Sequence, residues 1–232
     1  MKMRRLAIIT ARGGSKRIPK KNIREFCGKP ILAYSIEAAL ESGLFDHVMV
    51  STDSGEIAEI AKKYGAEVPF FRSETTSGDF ATTNDVLAEV LAEYEKLGMH
   101  FDVACCIYPT APFVTVEKLK TAVEQLEASD ADTLIPVVSF SYPPQRAMVV
   151  EKERLVFKYP EYLDSRSQDL QPHYHDVGQF YVFRTDRFAV NKKLMVGDIL
   201  PFIVSELEVQ DIDNLTDWKI AEMKYRLMTE EK

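Results

Sequence analysis

The chain has 232 residues, of which 46% are hydrophobic and 28% charged, and its net charge is −7. That length can bury a full core, and the balance is that of a globular protein in water. No apolar run approaches the ~20 residues a membrane span needs, and the overall acidity argues against a general binder of nucleic acid.

The charge is unevenly spread. Residues 1–24 hold nine Lys and Arg and no acid, while the other 208 carry 20 basic and 36 acidic side chains, a balance of −16. One cationic corner on an acidic protein suits a small anionic ligand. The basic start, Met1 to Arg5, leads into an apolar run too short for a signal peptide. Cys27, Cys105 and Cys106 form neither a disulfide framework nor a CxxC metal pair, which points to a reducing, cytoplasmic setting.

Taken in chain order, Leu6 to Ile9 reads as a buried strand, broken by Gly13-Gly14 inside the stretch Thr10 to Asn22. Two glycines let backbone N–H groups approach a ligand with no Cβ in the way. Arg12, Lys16, Arg17, Lys20 and Lys21 fall within the same loop. A glycine turn loaded with cations at a strand's end is suited to a polyanion such as a nucleoside triphosphate; the alternative is a solvated basic loop or a tail for nucleic acid.

Pro30 and Gly43 bracket an apolar-periodic helix ending at Ser42. His47 to Thr52 reads as a second strand, Asp53-Ser54 as the cap of a helix running to Tyr64, and Val68 to Phe71 as a short third strand. A polar connection, Arg72 to Thr83, leads to a helix capped by Thr82 or Thr83. Asp102 to Ile107 is apolar throughout, as a central parallel strand is. Tyr108 to Phe113 contains Pro109 and Pro112 and reads as a rigid extended loop. Val116 to Ala128 has helical period, and Thr133 to Ser139 is another strand.

The alternation breaks near Phe140. Ser141 to His175 reads as an excursion carrying a hairpin, Met148 to Val150 against Leu155 to Phe157. Gly178 to Phe183 returns to strand, Phe202 to Val204 makes a last short strand, and Thr216 to Met228 a closing helix. The expected fold is therefore α/β, a three-layer doubly wound domain with a mostly parallel sheet, built from residues 1–140 and 176–232 with 141–175 inserted.

In such sheets ligands sit beyond the carboxyl ends of the strands. That rule gathers the Arg12–Asn22 loop, Thr52-Asp53, Tyr108 to Pro112 and the Asp176 to Phe183 region at one place. The three-glycine dinucleotide fingerprint and the P-loop signature are both absent, which excludes the usual hydride-transfer and P-loop ATPase sites. Asp211 and Asp213, two apart, put both carboxylates on one face of an extended segment. They read either as Mg²⁺ ligands beside phosphates or as a helix cap. His173 and His175 flank Tyr174, without the further ligands a zinc site needs. Arg166, Gln168 and Asp169 are candidates for polar sugar contacts or a solvated loop.

The loop Ala11 to Asn22 resembles the signature of the acylneuraminate cytidylyltransferases, which activate nine-carbon acidic sugars as CMP conjugates. Val50 to Asp53, Tyr108 to Pro112, Arg166 with Gln168-Asp169, and Asp211 to Asp213 extend the resemblance over most of the chain. Tyr108 to Phe113, Gly178 to Tyr181 and His173 to Val177 depart from the sialic-acid members and resemble the pseudaminic acid branch.

The resemblance implies a nucleotide-diphospho-sugar transferase fold, CTP and a nine-carbon acidic sugar as substrates, Mg²⁺ or Mn²⁺ as cofactor, and a homodimer formed through the 141–175 excursion. It implies Arg12 and Lys21 as catalytic residues. Ala11, Gly13, Gly14, Ser15, Asn22, Arg72, Thr82 and Tyr108 join them in binding nucleotide. Tyr108, Arg166, Gln168, His175, Asp176 and Gln179 would contact sugar, and Asp211 and Asp213 the metal. N-acetylneuraminate or legionaminate as acceptor, and a nucleotide-binding module without turnover, are the competing expectations.

Overall fold

The computed structural model describes residues 3–230, so the first two residues of the basic start lie outside the described residues. The elements begin with β1 (Arg5–Thr10), the short pair β2 (Glu25–Phe26) and β3 (Lys29–Pro30), α1 (Ile31–Ser42), β4 (His47–Ser51) and α2 (Gly55–Lys63). They continue with the single turn α3 (Glu74–Ser77), α4 (Thr83–Lys96), β5 (Val103–Ile107), α5 (Val116–Glu127) and β6 (Thr133–Ser139). The hairpin β7 (Met148–Glu151) and β8 (Arg154–Phe157) follows, then β9 (Tyr174–Asp176), β10 (Phe180–Arg184), α6 (Thr185–Asn191), β11 (Ile199–Ile203) and α7 (Leu215–Glu230).

Seven strands form the main sheet in the order β11-β6-β10-β5-β1-β4, with β9 paired to β6. Five run one way; β9 and β10 run the other, β10 lying between β5 and β6. The pleat divides the core into two layers. Ala7, Ile9, Cys105 and Ile107 pack with Leu32 and Ile36 of α1 and Leu119 and Val123 of α5. Leu6, Ile8, Ala104 and Cys106 pack with Val86, Leu87 and Val90 of α4 and Phe188 of α6. The fold is α/β with helices on both sheet faces, and the adjacent cysteines point to opposite layers. Burial pushes the Cys106 thiol up to about 12, so neither is poised as a nucleophile.

Helix boundaries follow local chemistry. Gly43 closes α1 in the left-handed conformation, with φ of 63°. Ser54 caps α2, and Thr82 with Asp85 forms a full capping box on α4. Two expectations need correction. Residues Val68 to Phe71 form no strand: only Glu67 bridges Met49, and Pro69 has no N–H with which to extend the ladder. The polar connection contains the turn α3, held by Glu89 accepting from the Ser73 N–H and the Thr76 hydroxyl.

β9 pairs with β6 through Ser139 and Tyr174, so the stretch after Phe140 leaves and rejoins the sheet along the same strand. A third cluster joins Phe26 and Tyr34 to Trp218 and Ala221, docking α7 beside the basic loop. The carboxyl ends of β1, β4 and β5 and the amino end of β10 share one edge of the sheet.

Candidate active site

At that edge two cavities meet. The first, of about 650 Å³, is lined by Arg12, Ser15, Lys16, Arg17, Lys21 and Asn22 from the basic loop, with Arg72, Asp79, Thr82, Thr83 and Tyr108 opposite. The second, of about 690 Å³, is lined by His175, Asp176, Gly178, Gln179, Tyr181 and Asp211. Lys21, Tyr108 and Thr110 line both, so these three residues form the wall that the cavities share.

The basic loop is braced from several sides. Asn22 Nδ2 donates to the Arg12 carbonyl at 2.8 Å, and the Gly13 N–H donates to Asp53 Oδ1 at 2.7 Å. Asp53, which the sequence offers both at the ligand edge and as a helix cap, is thus a brace of the loop. Gly13 allows a close approach: a Cβ there would lie 3.1 Å from Ser54 Cβ. The strained backbone falls instead on Lys20, at φ 54°. The Ser15 N–H is taken by the Gly13 carbonyl at 3.0 Å. Of the three N–H groups expected to face a ligand, two are therefore engaged within the protein. Ala11 is fully buried, its N–H donating to the Ser51 carbonyl at 2.9 Å, and it supports the loop from beneath.

The cations are not equivalent. Arg12 pairs with Asp79 at 3.0 Å, and Lys16 pairs with the same carboxylate. Their contact holds the Asp79 carboxyl below its usual range. Arg17 pairs with Asp213 at 2.6 Å. Lys20 turns away to Glu56 on α2, 2.7 Å distant, and lines neither cavity. Lys21 alone points its ammonium at a neutral group, the Ile212 carbonyl, at 2.7 Å. Burial lowers its pKa, with Asp213 and Asp211 partly restoring it. Arg72 donates to the Ser51 hydroxyl and carbonyl at 3.1 and 2.8 Å, which fixes its guanidinium at the cavity wall.

In the second cavity, Asp176 accepts from the Tyr181 hydroxyl at 2.7 Å and the Gly178 N–H at 3.0 Å. Tyr181 lies edge-on to Tyr108, whose hydroxyl sits 3.0 Å from Thr83 Oγ1. Burial raises both phenols, so they act as neutral hydrogen-bonding groups. His175 packs at a tilt against Phe140, with Nδ1 2.9 Å from the Asp176 carbonyl. Arg166 and Gln168 line neither cavity; Arg166 is exposed and pairs with Asp169 at 2.8 Å. The excursion carries them away from the strand ends, which their spacing in the sequence does not reveal.

The neighbours of Asp211 and Asp213 show which residue caps α7. Asn214 caps α7, its Oδ1 accepting from the Thr216 and Asp217 N–H groups at 2.8 and 3.1 Å. The two aspartates are free of that duty. Ile212 between them is buried at 1% exposure, so both carboxylates turn the opposite way. Asp211 lines the second cavity and Asp213 faces Arg17. Among the described residues no three or more His, Cys, Asp or Glu are grouped so that they could hold a metal ion. Two carboxylate donors fit a hard divalent cation completed by water and phosphate, and fit zinc poorly. Asp79 and Thr83 at the first cavity were missed because a lone acid or threonine in a polar connection carries no spacing signal.

The chain matches a family model described as Cytidylyltransferase over residues 6–196. It is 39% identical to the pseudaminic acid cytidylyltransferase of Campylobacter jejuni over 232 residues, 97% of each chain. It is 33% identical to the CMP-N,N'-diacetyllegionaminic acid synthase of Legionella pneumophila, over 98% of this chain and 99% of that one. Among solved structures, CMP:2-keto-3-deoxy-manno-octonic acid synthetase complexed with CTP superposes with a TM-score of 0.70 at 18% identity. That match covers 99% of this chain and 100% of the other, and establishes shared architecture.

Proposed function

The chain belongs to the cytidylyltransferase family and is a nucleotidyltransferase; from that premise we propose that it makes CMP-pseudaminic acid and pyrophosphate from CTP and pseudaminic acid. The observation that carries this reading is the meeting of a cationic and a polar cavity at Lys21 and Tyr108. The triphosphate lies in the first, over Arg12, Ser15 and Lys21, with Arg72 and Thr82 on the nucleoside side. The sugar lies in the second, against Tyr108, His175, Asp176 and Gln179. A sugar hydroxyl then attacks the α-phosphorus in line, the bond to pyrophosphate breaks, and the hydroxyl proton is lost to water. Such a transfer needs alignment and charge neutralisation more than covalent help. Lys21, at the junction, is placed to oppose charge that grows on the phosphates as the bond breaks.

Asp211 and Asp213 are the residues that would hold Mg²⁺, with Mn²⁺ an acceptable substitute. Bound there, the ion would neutralise phosphate oxygens and acidify the attacking hydroxyl. We also read residues 141–175 as a dimerisation segment, because Val150 and Leu155 of its hairpin are 72% and 71% exposed. A homodimer in the cytoplasm follows from that reading and from three unpaired cysteines.

Pyrophosphate release, measured with CTP and Mg²⁺ across a panel of nine-carbon acidic sugars, tests the assignment. Release with pseudaminic acid is expected. Release only with N-acetylneuraminate or legionaminate would replace the acceptor. No release with any sugar would leave a nucleotide-binding module.

Asp79 makes one further expectation. Its carboxylate occupies Arg12 and Lys16 where phosphate oxygens would sit. Because the group is exposed and screened, Asp79→Asn should lower the KM for CTP only modestly, roughly two- to fivefold, with kcat unchanged. An increase in KM would show that Asp79 helps to bind nucleotide.

A further inference from the structure

Behind the second cavity lies an ion pair that the scheme above does not use. Lys118, in the first turn of α5, meets Glu208 at 2.9 Å, with side chains 11% and 27% exposed. Neither residue lines a cavity. Lys118 Nζ also donates to the Phe113 carbonyl at 3.0 Å. The Glu208 carbonyl accepts from Gln179 Nε2 at 2.5 Å, and the Gln179 carbonyl from the Tyr108 N–H at 2.8 Å. Glu208 Oε2 accepts from the Ser205 N–H at 3.2 Å. Three segments far apart in the chain are joined by these contacts: the Tyr108–Phe113 loop, the Asp176–Gln179 turn and Glu208, the residue that precedes the run from Val209 to Asp211. The loop, the turn and that run are walls of the second cavity.

Lys118 is largely covered and Glu208 only partly, and desolvation of such a pair offsets much of its attraction. Burial lowers the pKa of Lys118 and Glu208 pulls it back. Burial also pushes the Glu208 carboxyl up, but Lys118 and the Ser205 N–H outweigh that and hold it low. Each group thus counters the other's desolvation, and what the pair supplies is direction. On the solvent side, Lys224 Nζ grips the same run through the Glu206 and Val209 carbonyls at 3.1 and 2.6 Å. Loss of the ion pair would loosen the segment without releasing it.

We propose that Lys118 and Glu208 are positioning residues that hold Asp211 and Gln179 in register with Lys21 and Tyr108. They set the grip of the second cavity on the divalent cation and the acceptor sugar, and leave nucleotide binding in the first cavity alone. This rests on the reading of the second cavity given above.

The double variant Lys118→Met/Glu208→Leu removes both charges together and leaves no unpaired buried ion. Glu208→Asp keeps the charge and withdraws it by one methylene. Three quantities decide: Mn²⁺ binding to the CTP complex by electron paramagnetic resonance, CTP binding without metal by calorimetry, and the KM for pseudaminic acid. The double variant should weaken Mn²⁺ binding about tenfold and raise the sugar KM by a similar factor. CTP affinity without metal should stay within about twofold, and Glu208→Asp should show about a third of the effect. Unchanged Mn²⁺ affinity and sugar KM would overturn the proposal, as would an equal loss of CTP affinity, which marks general disorder. If the double variant does not fold, Glu208→Asp decides by the same criteria. Asp211→Asn separates the two levels. If it binds Mn²⁺ as the unaltered protein does, the cavity reading falls and this proposal with it; if it loses Mn²⁺ while the ion-pair variants do not, this proposal falls alone.

Discussion

Lys21→Ala is expected to lower kcat by roughly 10²–10³-fold, the size of effect seen when one preorganised donor to a developing charge is lost. The loss should fall on kcat more than on the KM for CTP. Arg12, Lys16 and Arg17 still offer positive charge to the ground state, whereas Lys21 sits where the two cavities join. Its contact with the Ile212 carbonyl leaves the ammonium charge uncancelled by direct pairing. Steady-state kinetics with pyrophosphate detection check this, and full activity in the variant removes Lys21 from the mechanism.

The same residue sets the sign of a pH effect. Burial lowers its pKa below the usual 10.5, while Asp213 and Asp211 oppose the shift. Activity should therefore decline on the alkaline side before an exposed lysine would titrate, as Lys21 loses its proton. Removing a neighbouring carboxylate in Asp213→Asn withdraws the opposing influence, so the alkaline limb should move to lower pH. A limb that moves upward contradicts the assignment.

Phe26→Ala should cost about 3–5 kcal/mol of stability, the range for emptying a buried aromatic site. Phe26 has no exposed surface and lies edge-on to Tyr34, Trp218 and Tyr225, each ring centroid 5.6 Å away. Against a typical ~5–15 kcal/mol for a whole domain, that is a large fraction. The cluster fastens α7, and with it Ile212 between the two aspartates, to the base of the cationic loop. Urea unfolding should give a lower midpoint with an unchanged slope. A loss below about 1 kcal/mol would mean that the site collapses around the vacancy and that α7 is held elsewhere.

Much of the candidate site was legible in the sequence. Gly13-Gly14 with Arg12 and Lys21 after an apolar strand is a local pattern, and the structure puts that loop at the strand ends. Tyr108, His175, Asp176, Gln179 and Asp211 also came together at one edge. Arg166 and Gln168 did not, because the excursion's path depends on how β9 rejoins β6. Asp79 escaped notice because its partners lie 67 and 63 residues away. The missing strand at Val68 reflects Pro69, a local signal that apolar content outvoted.

By itself the sequence determined most of the alternation of strands and helices, narrowed two caps to Asp53-Ser54 and to Thr82 or Thr83, and set the stop at Gly43 and the presence of a cationic glycine loop. Each of these depends on backbone geometry and hydrogen bonding within a few residues. Tertiary structure alone decided that β10 runs backwards between β5 and β6, that Lys20 leaves the cavity for Glu56, and that Lys21 reaches a carbonyl 191 residues away. Such pairings are chosen by which buried faces pack against one another, and the short-range periodicity of a chain carries no record of that choice.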